Sequence, residues 1–205
     1  MKKLIAALAL AATASAAHAV VPVIVSSSSL SGTMTNDASL IHDGVIPDEY
    51  TSWLDAMNVH WEGQDAISLG DSSAAAITLS FDQVYTLTDV RMSVDNNDFY
   101  RVQISLDGAN WNTLFTVLSF DGEVGSGMDT MSSVAGDGEY IASIDFPAVQ
   151  AKFARVYAVT GDGAYAVAEM QFSGTPVPVP EPSQYALLGL GLVGVGLRLR
   201  KGCAR

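Results

Sequence analysis

Tyr100-Arg101-Val102-Gln103-Ile104-Ser105-Leu106-Asp107-Gly108 decides the fold class. Tyr100, Val102, Ile104 and Leu106 alternate with Arg101, Gln103 and Ser105, the period of two that marks a half-buried strand. Asp107-Gly108 ends the run with a turn pair, since Gly tolerates a positive φ and Asp caps its own backbone. The pattern recurs outward from this point. Ile77, Leu79 and Phe81 alternate with Thr78 and Ser80. Strands are also expected over 84–94, 113–120, 140–146, 153–159 and 164–172. Asp-Gly pairs recur at 43–44, 121–122, 137–138 and 162–163. Two stretches read as loose: the polar segment 26–29, and 122–138, a long loop or distorted edge rich in Gly, Ser, Met and Asp. No window of helical period exceeds two turns outside the termini, and no internal repeat is present. Seven or eight short strands with turn-rich joints predict an all-β antiparallel sandwich of jelly-roll type.

The two ends follow a different logic. Lys2 and Lys3, the apolar run from Leu4 to Leu10 and the small-residue site Ala17-His18-Ala19 form a secretory signal peptide over 1–19. At the other end stands Pro176-Val177-Pro178-Val179-Pro180-Glu181-Pro182, a spacer over 176–184. An apolar Gly/Leu helix over 185–199 and a basic tail over 200–205 follow. That helix spans roughly 22 Å at 1.5 Å per residue, short of a ~30 Å hydrocarbon core. Arg198 and Arg200 can snorkel to the cytoplasmic interface. Gly189, Gly191, Gly194 and Gly196 are never four apart, so the chain lacks a GxxxG dimer face. A marginal, glycine-loosened helix suits a temporary stop; an ordinary uncut anchor is the alternative.

The expected domain over 20–175 is long enough to close one core. It holds four basic residues (Arg91, Arg101, Lys152, Arg155) against 21 acids, a net −17. Such a body repels phosphate backbones, which excludes nucleic acid as a partner and favours calcium, cationic surfaces or neutral sugars. Cys203 is the only cysteine and lies beyond the domain, so the fold must hold without disulfides.

The C-terminal residues Val179, Pro180, Glu181, Pro182 and Ser183, the helix from Ala186 to Leu197 and the basic tail resemble the sorting signal of PEP-CTERM proteins. The resemblance implies transient insertion in the inner membrane of a Gram-negative bacterium and recognition by an exosortase-type enzyme. It further implies delivery to the cell surface or the exopolysaccharide matrix. The central domain resembles the discoidin family (F5/8 type C, galactose-binding-like). Ala38-Ser39-Leu40-Ile41-His42-Asp43-Gly44 with Thr51-Ser52-Trp53 is similar to the family's opening. The segment from Arg101 to Gly108, with Asn110-Trp111, is similar to its Asp-Gly hairpin. Phe153-Ala154-Arg155-Val156 is similar to a later strand, and the segment from Ala168 to Gly174 to the closing one. The chain departs where Ala76 to Asp82 lacks the family's leading Trp, and where 54–75 is longer. The cysteine pair of many animal members is also absent.

Asp43, Asp48, Glu49 and the Thr51 hydroxyl crowd hard oxygen donors into nine residues, the chemistry of calcium. The resemblance implies a structural calcium held by Asp43, Asp48 and Thr51, closed by Glu169, with the Leu40 carbonyl as a further donor. The alternative is a solvated acidic turn. Asp95-Asn96-Asn97-Asp98 fails the EF-hand pattern at Phe99 and Tyr100, and reads as a hairpin turn. Trp53 and Trp111 match core positions of the resembled family. His60, Trp61 and Glu62, in the longer stretch, form the candidate carbohydrate platform: an aromatic face to stack on a sugar, with polar groups for its hydroxyls. The alternative is a loop aromatic packed against its own domain.

No catalytic set emerges. His42 and His60 are the only histidines of the mature domain, and no serine sits in a G-x-S-x-G elbow. The expected protein is a non-catalytic, exported surface or matrix protein that binds extracellular polysaccharide and is stabilised by calcium. The competing expectation is a purely structural matrix protein without a specific ligand; a hydrolase of the matrix polymer is the third.

Overall fold

The computed structural model describes residues 19–178 and 189–192. The chain divides into two compact units, Met1–Thr175 and Pro176–Arg205. Within the second unit, residues 189–192 are helical. No helix among the described residues is long and apolar enough to cross a membrane. The leader up to residue 18, the motif from Val179 to Pro182 and most of the helix expected over 185–199 lie outside the described residues.

The first unit is an antiparallel β-sheet protein. Its strands are β1 (Val21–Pro22), β2 (Val25–Ser31), β3 (Val59–Glu62), β4 (Ala76–Asp95), β5 (Phe99–Ser105), β6 (Asn112–Val117), β7 (Met128–Ser132), β8 (Val149–Thr160) and β9 (Ala164–Pro176). A 3-10 turn, Ala38–His42, precedes β3; a short helix, α1 (Ala66–Leu69), follows it; and a second 3-10 turn, Ala142–Ile144, precedes β8. The main strand order is β1-β9-β4-β8-β5-β6, with β2 and β7 also on β4 and β3 on β9.

β4 is the strand that folds the sheet over on itself. The sequence predicts two strands, 77–81 and 84–94, and the structure has one. Asp82 and Gln83 contain neither Gly nor Pro, so the chain bends without turning back. The pairing with β8 shifts register between Ser80 and Tyr85. Ala76 to Phe81 pairs with β2, whereas Arg91 to Asp95 pairs with β7. A bulge that increases local twist is the ordinary device for carrying one strand between layers.

β7 lies inside the stretch expected to be a loop. All five of its residues are buried. A strand buried on both faces shows no alternation, and Met-Asp-Thr-Met-Ser carries little β-propensity, so its signal is weak in the sequence. Conversely, the strand expected over 140–146 is an isolated bridge, Ser132 with Tyr140, followed by the second 3-10 turn.

The core holds three aromatic groups, one of them the stacked pair Phe115–Phe146 (6.0 Å). Trp61 packs on Tyr100 and Tyr165 with centroids 6.3 and 5.8 Å away. Phe81 packs on Tyr85 and Phe172 at 6.2 and 5.8 Å. Each such buried side chain contributes about 2–3 kcal/mol of transfer free energy. The outer face of β5 and β8 is capped by alternating cations and rings. Arg155 lies 4.5 Å from the centroid of Trp111, and Arg101 lies 5.9 Å from that of Tyr157. Arg155 Nε also donates to Gln103 (2.8 Å), which explains why Gln103, on the outward register of β5, is nevertheless buried.

Candidate functional site

The three platform residues lie on β3, which pairs with β9 through Val59–Val167, His60–Ala166, Trp61–Tyr165 and Glu62–Ala164. Alternation along this strand separates them. Val59 and Trp61 point inward, and Trp61 is 2% exposed. His60 is half-buried and Glu62 exposed on the other face. Trp61 therefore offers no ring face to a ligand; it belongs to the core. The period of two in Val59-His60-Trp61-Glu62 carries this information in the sequence.

The available indole is that of Trp53. It is half-buried, leans on the small cluster of Met128, Ala166 and Ala168, and stands 5.1 Å from the His60 ring, centroid to centroid. Trp53 and Trp111 are both half-buried rather than central core residues. Together with Thr33, Thr35, Leu54, Trp61, Glu62 and Gln64, the Trp53–His60 pair lines a groove of about 310 Å³. Trp53 precedes β3 by a turn-rich segment, so no periodicity points to it.

Asn58, fully buried, holds the groove in shape. Its Nδ2 donates to the Trp53 carbonyl (2.6 Å), and its Oδ1 lies 3.0 Å from His60 Nδ1. With the amide nitrogen committed to Trp53, the oxygen must accept, so His60 Nδ1–H is the donor. In the neutral ring Nε2 is then an acceptor directed away from Asn58, suited to a ligand hydroxyl. Gln64 is committed elsewhere: its side chain accepts from Thr33 N–H (2.9 Å) and donates to the Thr33 carbonyl (3.0 Å). The groove thus presents one aromatic face, one imidazole acceptor and the exposed Glu62 carboxylate.

The calcium expectation draws on residues that the structure groups only in part. Asp43 and Glu169 meet. Glu169 has no exposed surface; its Oε2 accepts Gly44 N–H (3.1 Å), and its Oε1 is buried without a partner. Burial pushes the Glu169 carboxyl up to about 7; the Gly44 N–H opposes this, and the Asp43 charge adds to it. An orphaned oxygen beside a second carboxylate fits a hard cation. His42, Asp43 and Glu169 border a cavity of about 440 Å³ walled by Val23, Val25, Phe81 and Phe172.

Asp48 is exposed, and its carbonyl accepts the Thr51 N–H (3.1 Å), closing a turn. The Thr51 carbonyl accepts Met128 N–H (2.8 Å), which ties the loop to β7. No hydrogen bond joins either residue to Glu169. The hairpin expected at Asp95 to Asp98 joins β4 to β5, with Asp98 fully buried and Asp95 nearly so.

Residues 178–201 match the PEP-CTERM protein-sorting motif, so the chain carries the motif of an exported protein. No curated protein matches the sequence. Among solved structures, the chain is similar to truncated AlyQ with CBM32 and alginate lyase domains, at 13% identity and a TM-score of 0.49. The match covers 80% of this chain and 36% of that one, so the chain spans about a third of that protein. It is also similar to CBM32-1 from a family 31 glycoside hydrolase of Clostridium perfringens: 11% identity, TM-score 0.47, 73% of this chain and 95% of that one. A third is chitosan-binding module 1 of a chitosanase/glucanase from Paenibacillus sp. IK-5: 20% identity, TM-score 0.45, 74% and 97% covered. The structural neighbours are CBM32, discoidin-like carbohydrate-binding modules, and the sorting motif falls where the sequence resemblance lies.

Proposed function

We propose that the domain is a non-catalytic carbohydrate-binding module of an exported protein. An exosortase-type enzyme handles its C-terminal motif at the inner membrane, and the product resides at the cell surface or in the extracellular polysaccharide matrix. The observation that carries this reading is the groove of Trp53, His60 and Glu62: a partly exposed indole with polar groups held around it by the buried Asn58. Ring stacking on a sugar face plus a few fixed hydrogen bonds is how a shallow site recognises a saccharide. The domain's net charge of −17 selects against anionic polymers and favours neutral or amino sugars. Calcium held by Asp43 and Glu169, with Asp48 and Thr51 of the same loop as further donors, is the structural ion of this reading.

A glycan array with the full chain tests it. Binding to a neutral or amino-sugar glycan should vanish in Trp53→Ala while the melting temperature stays near that of the parent. A hit that survives both Trp53→Ala and His60→Ala would place recognition elsewhere, and the absence of any hit would favour a purely structural protein.

A further inference from the structure

Three carboxylates from three separate connections meet beside β7. Glu49 comes from the loop after the first 3-10 turn, Glu123 from the β6–β7 connection and Glu139 from the segment after β7. One oxygen of each lies within 4.8 Å of the others, the only such acidic group of three among the described residues. Glu49 and Glu139 are half-buried, and Glu123 is exposed. Glu49 Oε1 accepts Thr130 N–H (3.1 Å) from β7, and that bond fixes the carboxylate. Glu49 Oε2 and Glu139 Oε2 are both buried without a hydrogen-bond partner.

A fourth acid stands behind them. Asp129 has no exposed surface. Its Oδ2 takes Asn96 Nδ2 (2.6 Å) and Val124 N–H (3.3 Å), whereas its Oδ1 is buried without a partner. Burial pushes the Asp129 carboxyl up to about 7, opposed by the Val124 N–H, and the charges that add to the rise are Glu49 and Glu123. Orphaned carboxylate oxygens gathered along β7, in a domain with few cations, call for a positive ion.

The protein's own side chains do not supply it. The single ion pair among the described residues is Arg101–Asp71 (2.9 Å). The neighbouring Glu123 is the largest cause raising the Glu139 carboxyl. The Arg91 charge lowers that carboxyl, but Arg91 makes no ion pair. The backbone holds the cluster together. Tyr50, next to Glu49, sits at φ +64°, a left-handed conformation that costs about 1–3 kcal/mol in a non-glycine residue. Its N–H donates to the Met128 carbonyl (3.1 Å), so the strained turn is tied directly to β7.

We propose that Glu49, Glu123 and Glu139, backed by Asp129, bind a divalent cation of calcium's class at a site separate from the Asp43–Glu169 pair. The donors are all carboxylate oxygens, the choice of a hard ion with a large, flexible coordination shell. Bound there, the ion ties three connections to β7 and removes the repulsion among them.

The full chain, stripped with EDTA, is titrated with terbium and then with calcium. Tyr50 and Tyr140 flank Glu49 and Glu139 and can sensitise terbium emission from a bound ion. Emission displaced by calcium is expected, retained in Glu169→Gln and weakened at least about tenfold in Glu123→Gln, because affinity follows the charge count of the ligands. Glu123 is exposed, so its substitution is not expected to disturb the fold. As a second readout, calcium should raise the melting temperature of Glu169→Gln but not of the triple variant Glu169→Gln/Glu123→Gln/Glu139→Gln. The assignment is overturned if emission disappears in Glu169→Gln, if Glu123→Gln and Glu139→Gln bind as the parent does, or if calcium stabilises Glu169→Gln and the triple variant equally.

Discussion

Asp98→Asn should make the metal-free protein more resistant to unfolding at pH 8 than its parent, by a margin that shrinks toward pH 5. Asp98 is fully buried in the β4–β5 turn. Its Oδ1 accepts Asp162 N–H (3.0 Å), and its Oδ2 accepts the Tyr100 hydroxyl (3.3 Å). Burial pushes its carboxyl from an ordinary 3.8 up to about 7; the Asp162 N–H opposes this, and the charges of Asp162 and Asp95 add to it. The sign follows from proton counting. Below pH 3.8 both folded and unfolded forms hold the proton, and the group is neutral to stability. Between 3.8 and about 7 the unfolded chain releases the proton while the folded one keeps it, so each pH unit costs about 1.36 kcal/mol. Above 7 the loss is complete, at about 4 kcal/mol. The asparagine mimics the protonated acid and escapes this loss. Any fixed cost of the altered Tyr100 hydrogen bond is the same at both pH values, so the observable is the change in the gap. From pH 5 to pH 8 it should widen by about 2–3 kcal/mol. Urea unfolding in EDTA, followed by fluorescence of the buried Trp61, measures it. With slopes of about 1–3 kcal/mol/M the midpoint difference should grow by about 1 M or more. A gap that does not change with pH would refute the reasoning and mean that Asp98 is ionised in the folded protein at pH 5.

Other outcomes follow from the same structure. Trp61→Ala should destabilise the domain by about 3–5 kcal/mol in urea unfolding, while Trp53→Ala, on a partly exposed ring, should cost well under half of that. Glu169→Gln in EDTA should show the same pH signature as Asp98→Asn, because its carboxyl is likewise raised to about 7 by burial. Saturating calcium should raise the melting temperature of the parent, by linkage at a rate set by RT ln(1 + [L]/Kd). Gly127→Ala should lose about 1–3 kcal/mol, since Gly127 sits at φ +85° and an added Cβ would lie 2.9 Å from the Thr51 carbonyl oxygen.

The architecture was legible where one face of a strand meets water. β5 announces itself by the alternation of Tyr100, Val102 and Ile104 with Arg101 and Gln103, and Gly108 and Gly163 take the positive φ that their Asp-Gly pairs predict. β7 was not legible, because both its faces are covered and no alternation survives. The fusion of two expected strands into β4 was not legible either, since a bulge leaves no residue-type signature as strong as a turn. Within the site, neighbours in sequence were found and neighbours in space were not. His60 and Glu62 were singled out as a pair of adjacent polar groups, but Trp53 reaches them only because the buried Asn58 bonds to both segments. Asp43 and Glu169 were joined by resemblance alone, being 126 positions apart. Asp48 and Thr51 were joined to them by the same resemblance.

The buried acids suggest a common physical cause. Asp98, Asp129 and Glu169 each have no exposed surface, and each carboxyl is pushed to about 7, first of all by burial. In a domain with four basic residues, little on the chain itself can neutralise them. Two of the three, Asp129 and Glu169, also carry a buried oxygen with no hydrogen-bond partner. Asp98 does not: both its oxygens accept hydrogen bonds. The distinction separates two ways of tolerating a buried carboxylate. Asp98 is satisfied by protons and dipoles of the fold, so its cost should respond to pH and not to calcium. Asp129 and Glu169 are each left short of a positive partner, so their cost should respond to both, and calcium should flatten the pH dependence that they contribute.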